Sequence, residues 1–491
     1  MECGLQWKDI TCWEDASRLT LTHEETLETA IADYCPDMGR VVETAGQLCL
    51  RSIVPQGDGV ELRGTIQVTV LYTSEESVGL RSLTQSVPFT CWGESRPLAA
   101  CQVLWAEGRL LLCEAQALTP RRLSLRIMPE WTVCGYRCGT RRLCVGADDD
   151  PFLRLRRQER ELCLTVSMAE RECSVTGEAV PPGQPAPEDL LLWRLYPQVG
   201  SCQLVGNKLL VKGDVTLSAL YRCQQQKLHT YTAVLPFSQI VESPSGGEEG
   251  EVTVCPQLLC GEARLLRGEE SSGFAVSAEL RLLVRIIRRE TVACVTDLYS
   301  IRCAVQPDTE PVSLPSAQER PTRQEAAAHL DFGRQRPFVY VTDVSCAPAA
   351  AEDGAPCAAV RMQLLYLDET EAPAVTERTA QLPLRDGETC TRCGAPEVAF
   401  TGTGCDLRQA VSVTPAAGEP VVLTTVTAVQ TVPEREEGRR PSLVMRRLAA
   451  DETLWDAAKQ YRTDEELIRA VNQLTEGEVP DKMLLIPRMR P

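Results

Sequence analysis

One nine-residue pattern, written three times, constrains this chain more than anything else in it. Residues 64–72 and 213–221 align position for position, residues 358–366 are a third, weaker copy, and each closes on a Leu-Tyr pair: Leu71 and Tyr72, Leu220 and Tyr221, Leu365 and Tyr366. Ile66, Val68, Val70 and Tyr72 fall on one side of an extended chain, with Thr65, Gln67 and Thr69 on the other. Val215, Leu217, Ala219 and Tyr221 follow the same rule, as do Val360, Met362, Leu364 and Tyr366. Alternation with period two over such a length marks a half-buried antiparallel strand. After a polar turn each copy runs into a second apolar stretch with a proline near its end: Val87-Pro88-Phe89, Leu235-Pro236-Phe237 and Leu382-Pro383-Leu384. These second stretches are predicted to pair back as hairpin partners. The tyrosines are 149 (221 − 72) and 145 (366 − 221) residues apart, so each copy has room for a whole structural unit.

Further strands are predicted around each copy: Arg109–Ala115 and Leu123–Cys134 in the first unit, Ala275–Val295 in the second, Val411–Val432 in the third. Gly206 and Asn207 tolerate positive φ and mark a tight turn before the second copy. Two short segments, Thr22–Ala32 and Gln324–Leu330, read as helices. Asp148 to Pro151 breaks the chain after the first unit, and Pro181–Pro187 lies on the approach to the second copy. Residues 305–325 and Glu434–Pro441 are rich in residues that bury little apolar surface and read as linkers. Ser243–Glu251 reads as a surface loop. The expected organisation is mainly β: three antiparallel, sandwich-like repeats at 1–145, 152–304 and 326–432, the last divergent, and a small terminal domain at 442–491.

Composition narrows the function. A chain of 491 residues exceeds one core. Its net charge of −17 argues against nucleic acid, which needs clustered positive charge. No run approaches the eighteen or so apolar residues of a membrane span. The first ten residues lack a basic stretch followed by an apolar one, so the expectation is no cleaved secretory signal. In that setting most of the 23 cysteines are expected to be reduced and to act as small buried hydrophobes. Cys390 and Cys393 form the chain's CxxC; with Cys405 as the one further cysteine nearby and the three histidines (His23, His229, His329) remote, a zinc site lacks its second pair. Neither metal nor cofactor is expected. No nucleophile elbow, phosphate-binding loop or zinc-protease helix is present; His23-Glu24-Glu25 lacks the second histidine such a helix needs. Three histidines leave little for acid–base work near neutrality, so a non-enzyme is expected.

The last fifty residues carry a different pattern. Leu454, Ala458 and Tyr461 form an apolar stripe for one short helix, and Leu467, Val471 and Leu474 for a second. Thr463 with Glu466 has the form of a capping box. Leu443–Met445 before the helices and Met483–Ile486 after them can pair as short strands, and Pro487 ends the second. Asn472, one of two asparagines in the chain, stands just past the second helix. That order resembles the LysM module, a βααβ domain best known for holding peptidoglycan glycan; a generic helical hairpin is the plainer reading. The family's glycines before the first helix and before the last strand are replaced here by Asp451-Glu452 and by Asp481 after Pro480. Added bulk and negative charge disfavour a close-fitting sugar, which makes a protein partner at least as well suited.

Three strand-Leu-Tyr repeats followed by one such module resemble the SipL-like spore-coat assembly proteins, whose repeats are called SPOCS domains. The resemblance implies a scaffold in the mother-cell cytoplasm at the forespore surface, recruited when its LysM grips the coat's basal-layer ATPase. Carried onto this sequence, it makes Asp451, Glu452, Thr453, Leu454, Trp455, Asn472, Val479, Pro480 and Asp481 the candidate binding residues. Leu454 is also suited to the small core, and Trp455 to either core or contact. The alternative is a protein that binds cortex or cell-wall peptidoglycan through the same module, the β repeats serving as a stalk.

Overall fold

The computed structural model describes residues 4–488 apart from 34, 76–78, 244–249, 268–271, 334–337, 417, 433–441, 450 and 476–482. The first third of the chain forms β1 (Leu5–Thr22), β2 (Glu25–Ala30), β3 (Arg40–Gln56), β4 (Gly59–Thr73) and β5 (Leu80–Glu94). A single helical turn, α1 (Arg96–Ala99), then leads to β6 (Val103–Thr119) and β7 (Arg122–Ala147). The middle third holds β8 (Leu153–Ala179), β9 (Pro187–Val205), β10 (Lys208–Cys223), β11 (Leu228–Glu242), β12 (Glu251–Arg267) and β13 (Ser272–Ser300). Next come β14 (Val305–Leu314), β15 (Thr322–Asp331), β16 (Val339–Ala350), β17 (Pro356–Leu367) and β18 (Pro373–Pro383). Four further strands close the body: β19 (Thr389–Arg392), β20 (Glu397–Thr401), β21 (Gly404–Thr414) and β22 (Val421–Thr431). The chain ends in β23 (Leu443–Arg446), α2 (Leu454–Tyr461), α3 (Glu465–Asn472) and β24 (Leu484–Pro487).

The recurring pattern forms the middle strand of three separate meanders, β3-β4-β5, β9-β10-β11 and β16-β17-β18. In the first, Gly64 lies opposite Phe89 and Thr65 opposite Pro88; in the second, Gly213 opposes Phe237 and Asp214 opposes Pro236. The prolines cost no ladder bond that matters, because β5 and β11 are edge strands paired on one side only. In the third meander Ala358 opposes Leu382, two residues short of the motif's alignment. A two-residue slip preserves which side chains face inward. It also explains why that copy begins with alanine. A Cβ at Gly213 would lie 2.2 Å from the Gln198 carbonyl oxygen and 2.7 Å from the Phe237 ring, and Gly64 is crowded in the same way by Cys49 and Phe89. In the third copy the slip sets Leu382 opposite Ala358, where the other two have phenylalanine, and a methyl group is tolerated. Gly213→Ala is therefore expected to cost about 1–3 kcal/mol by overpacking, read as a lower urea midpoint, whereas Ala358→Gly should cost under about 1 kcal/mol.

The inward faces of the meanders are buried against longer sheets. A seven-stranded sheet runs β12-β13-β8-β1-β7-β2, with β6 also on β7, and β1 pairs with β8 at Trp13 and Thr165. The first meander packs on its β7 end through Tyr72, Phe89 and Trp131, and the second on its β13 end through Tyr221, Phe237 and Phe274. The third meander faces a four-stranded sheet of β15, β21, β19 and β20 around Val360, Met362 and Leu407.

Several expectations are corrected. Thr22–Ala32 and Gln324–Leu330 are not helices: Glu25–Ala30 pairs with β7, and Thr322–Asp331 pairs with β21. Residues 305–325 are not a linker, since Val305–Leu314 pairs along its whole length with β22. That ribbon covers Leu143, Leu162, Leu164 and Val292 of the large sheet. Val411–Val432 divides between β21 and β22, in different sheets. The expected linker at Glu434–Pro441 lies outside the described residues, as does most of the loop expected at Ser243–Glu251.

The outward faces of the meanders hold the main surprise. Alternation implied that the side carrying Thr69 and Leu71 meets solvent, yet both are buried. Leu71, Leu220 and Leu365 from the three middle strands join Ala45, Leu191, Leu192 and Tyr340 in one apolar cluster, so the meanders meet back to back. Beside it lies a buried polar knot. Arg194, 4% exposed, donates to the carbonyl oxygens of Gly46 (2.5 Å) and Thr342 (3.2 Å) and to Asp343 Oδ1 (3.2 Å). Glu43, 5% exposed, accepts from the Thr44 amide at 2.8 Å and the Thr342 hydroxyl at 3.4 Å. One arginine of the second meander thus ties the first to the third.

Candidate partner-binding module

In the C-terminal segment β23 and β24 pair antiparallel, from Leu443 opposite Pro487 to Arg446 opposite Leu484. The helix α2 is started by Thr453, whose hydroxyl accepts from the Asp456 amide, while Asp456 accepts the Thr453 amide at 2.9 Å and its hydroxyl at 2.6 Å. Those bonds from Thr453 hold the Asp456 carboxyl below the usual carboxylate range. Both helices end on a left-handed residue, Arg462 (φ 52°) and Gln473 (φ 56°). The cap of α3 is Asp464 rather than the expected Thr463, and Asp464 Oδ1 accepts from the Glu466 amide at 2.9 Å. Thr463 is instead fully buried. The apolar stripe of α3 is also displaced by one residue, since Ile468 is the buried side chain and Val471 is exposed. With Leu454, Ala457, Ala458, Leu484 and Ile486, Ile468 makes the small core.

That core does not close on itself. Tyr299 and Ile301, at and just past the end of β13, belong to it. The Tyr299 ring meets Trp455 edge-on at 4.8 Å, and its hydroxyl donates to the Thr463 carbonyl oxygen at 2.8 Å. Burial raises that phenol above its ordinary pKa. Asp297, two residues earlier, accepts the Trp455 indole N–H at 2.7 Å and pairs with the Lys459 ammonium. On β8, Arg154 makes two bonds to Asp464 Oδ2, at 2.7 and 2.6 Å. The module is therefore docked on the end of the paired strands β8 and β13. Asp297→Ala is expected to weaken that docking by about 1–3 kcal/mol, because the half-buried indole N–H and ammonium lose their acceptor. Hydrogen exchange should then speed up in α2 with the amides of β10 unchanged.

The nine candidate residues do not form one open surface. Leu454 is core. Trp455 faces the body rather than solvent, so its contact is intramolecular. Asn472 is the last residue of α3, and its side chain donates to the Ile468 and Leu485 carbonyl oxygens (2.8 and 2.6 Å) and accepts the Leu485 amide at 2.7 Å. It is a clamp between α3 and β24. Glu452 is held by the Arg446 guanidinium and accepts the Ala449 amide at 3.1 Å. Asp451 and Thr453 are exposed. Val479, Pro480 and Asp481 lie outside the described residues. Sequence reasoning missed Asp297, Tyr299 and Arg154, which sit in strand patterns that carry no sign of a terminal module. Among the described residues no group of three or more His, Cys, Asp or Glu side chains could hold a metal ion, and no helix is long and apolar enough to cross a membrane.

Residues 188–258, which span the second meander and the start of β12, match the family model described as the SPOCS domain of SipL. The match supports a SipL-like protein and suggests a sporulation-related role. No curated protein and no solved structure matches the chain.

Proposed function

We propose that this chain is a non-catalytic sporulation scaffold, built from three SPOCS-type repeats and a LysM-type module. It links the spore coat to the forespore surface, and the module binds the coat's basal-layer ATPase. The reading places it in the mother-cell cytoplasm, on the outer face of the forespore. The observation that carries it is the SPOCS match at 188–258, whose central strand pattern recurs at 64–72 and 358–366 in a chain that ends in two strands around two helices. Asp451 is exposed where the family has a glycine and Asn472 is committed to internal bonds, which suits a protein partner better than a glycan.

Deleting residues 442–491 is expected to abolish forespore localisation of a fluorescently tagged chain in a sporulating cell, with cellular levels of the protein maintained. A truncated chain that still gathers on the forespore would refute recruitment through the module. Loss of the protein itself would instead show that Tyr299 and Ile301 need their cover, and the docking variant Asp297→Ala then serves as the gentler probe.

A further inference from the structure

The terminal module carries apolar side chains that its core does not use. In the ribbon of β23 and β24, Leu484 and Ile486 belong to the core, with Val444 packed against it. Alternation sends the intervening residues to the opposite face. There Leu443 lies opposite Pro487, and Met445 opposite Leu485. Leu443 is 52% exposed, Met445 61%, and Met483, just before β24, 55%. Leu485 and Pro487 are half-buried. Grouped apolar exposure of this kind marks a contact surface, and methionine suits one that adapts to its partner. The bonds that dock the module on β8 and β13 come from Trp455, Lys459, Thr463 and Asp464, on α2 and the turn after it. Docking therefore leaves the outer face of the ribbon uncovered.

Two further properties define what this face takes. Its backbone is open, because among the described residues neither β23 nor β24 pairs with any other strand. An extended chain can add at such an edge through main-chain hydrogen bonds. Its charge is positive in an acidic protein. Residues 439–450 and 482–491 hold seven Arg or Lys and no Asp or Glu, against a net charge of −17 for the whole chain. Arg447, which follows Leu443 and Met445 in the alternation, is exposed at the end of the ribbon. Such a surface attracts an acidic segment and repels a second copy of itself. An anionic membrane would feel the same attraction, but a ribbon with unpaired edges cannot enter hydrocarbon. Nor does the face carry the Trp or Tyr that anchors a protein at a bilayer surface.

We propose that the outer face of the β23–β24 ribbon is the module's partner-binding surface, and that it takes an extended acidic segment of the partner protein as a third strand. Apolar side chains at alternate positions of that segment would continue the row of Leu443 and Met445, and its carboxylates would meet Arg447. The inference rests on the reading that the module grips a protein, and it places the contact on the strands rather than on the loop that carries Asp451.

The test measures binding of the full-length chain to purified coat ATPase and, in parallel, to phosphatidylglycerol vesicles. M445E and R447E are each expected to weaken ATPase binding by about ten-fold or more, with melting temperatures unchanged because both side chains are exposed. D451N should bind as the parent does, and the parent's own binding should fall as salt is raised. A parent chain that the ATPase does not retain would overturn the proposed function and this inference with it. Retention that M445E and R447E leave at parental strength would overturn the inference alone. Vesicle binding that both substitutions abolish would give the face to a membrane and overturn it too. R447E exchanges one exposed polar side chain for another, so the result does not depend on how M445E folds.

Discussion

Arg194→Ala should be among the most damaging single substitutions in this protein, costing about 3–5 kcal/mol, the range found when one partner of a buried ion pair is removed. The reason is geometric. One guanidinium serves the Gly46 carbonyl oxygen from the first meander and the Thr342 carbonyl oxygen and Asp343 carboxylate from the third. Removing it takes the donor from two buried carbonyl oxygens and leaves the Asp343 carboxylate, 30% exposed, with Arg392 at 3.9 Å as its remaining cation. Arg194→Lys should recover only part of the loss, since an ammonium cannot reproduce the planar fork. Chemical denaturation reads both. A cost of Arg194→Ala under about 1 kcal/mol would mean that the three meanders do not depend on one another for their packing.

The second large effect is on pH dependence. Burial pushes the Glu43 carboxyl up to about 7, against the opposing hydrogen bonds from the Thr44 amide and the Thr342 hydroxyl. Asp343 adds to the rise and Arg194 counters it. Between the unfolded value near 4.5 and the folded value near 7, the native state holds a proton that the unfolded state has released. Stability therefore falls as pH rises through that window. A shift of two to three pH units corresponds to about 3 kcal/mol. Glu43→Gln, neutral at every pH, should flatten this part of the profile and leave the variant more stable than the parent at pH 8. Urea midpoints measured from pH 4.5 to 8 decide it; a wild-type midpoint rising across this interval, or one the substitution leaves untouched, would contradict the assignment.

These two residues also show where sequence reading stops. Ile66, Val68, Val70 and Tyr72 announced their strand and its buried face, and the second apolar stretch after a polar turn announced its hairpin partner, because local alternation and turns are written residue by residue. Glu43 and Arg194 carry no such mark. Their burial comes from the meeting of three sheets, a contact between segments about 150 residues apart. The same kind of contact turned 25–30 and 322–331 into strands. Their alanines and glutamates favour helix weakly, but the free edges of β7 and β21 offered ladders worth more. In the terminal module the helices were legible from their stripes, though Ile468 rather than Leu467 turned inward. The role of Trp455 was not legible, because its partner Asp297 lies on a distant strand. An aromatic residue in a loop family known for binding reads as a contact residue, and here that contact is made within the chain.

The docked module also shapes what a partner can reach. With α2 turned to Asp297 and Tyr299, and Asn472 bonded to β24, the candidate residues left exposed among the described ones are Asp451 and Thr453.

Binding of the full-length chain to purified coat ATPase, run beside binding to purified peptidoglycan, tests the central claim most directly. The expected result is retention by the ATPase, lost when residues 442–491 are removed, with no comparable retention by peptidoglycan. Retention by peptidoglycan alone would contradict it and move the function to cortex or wall attachment.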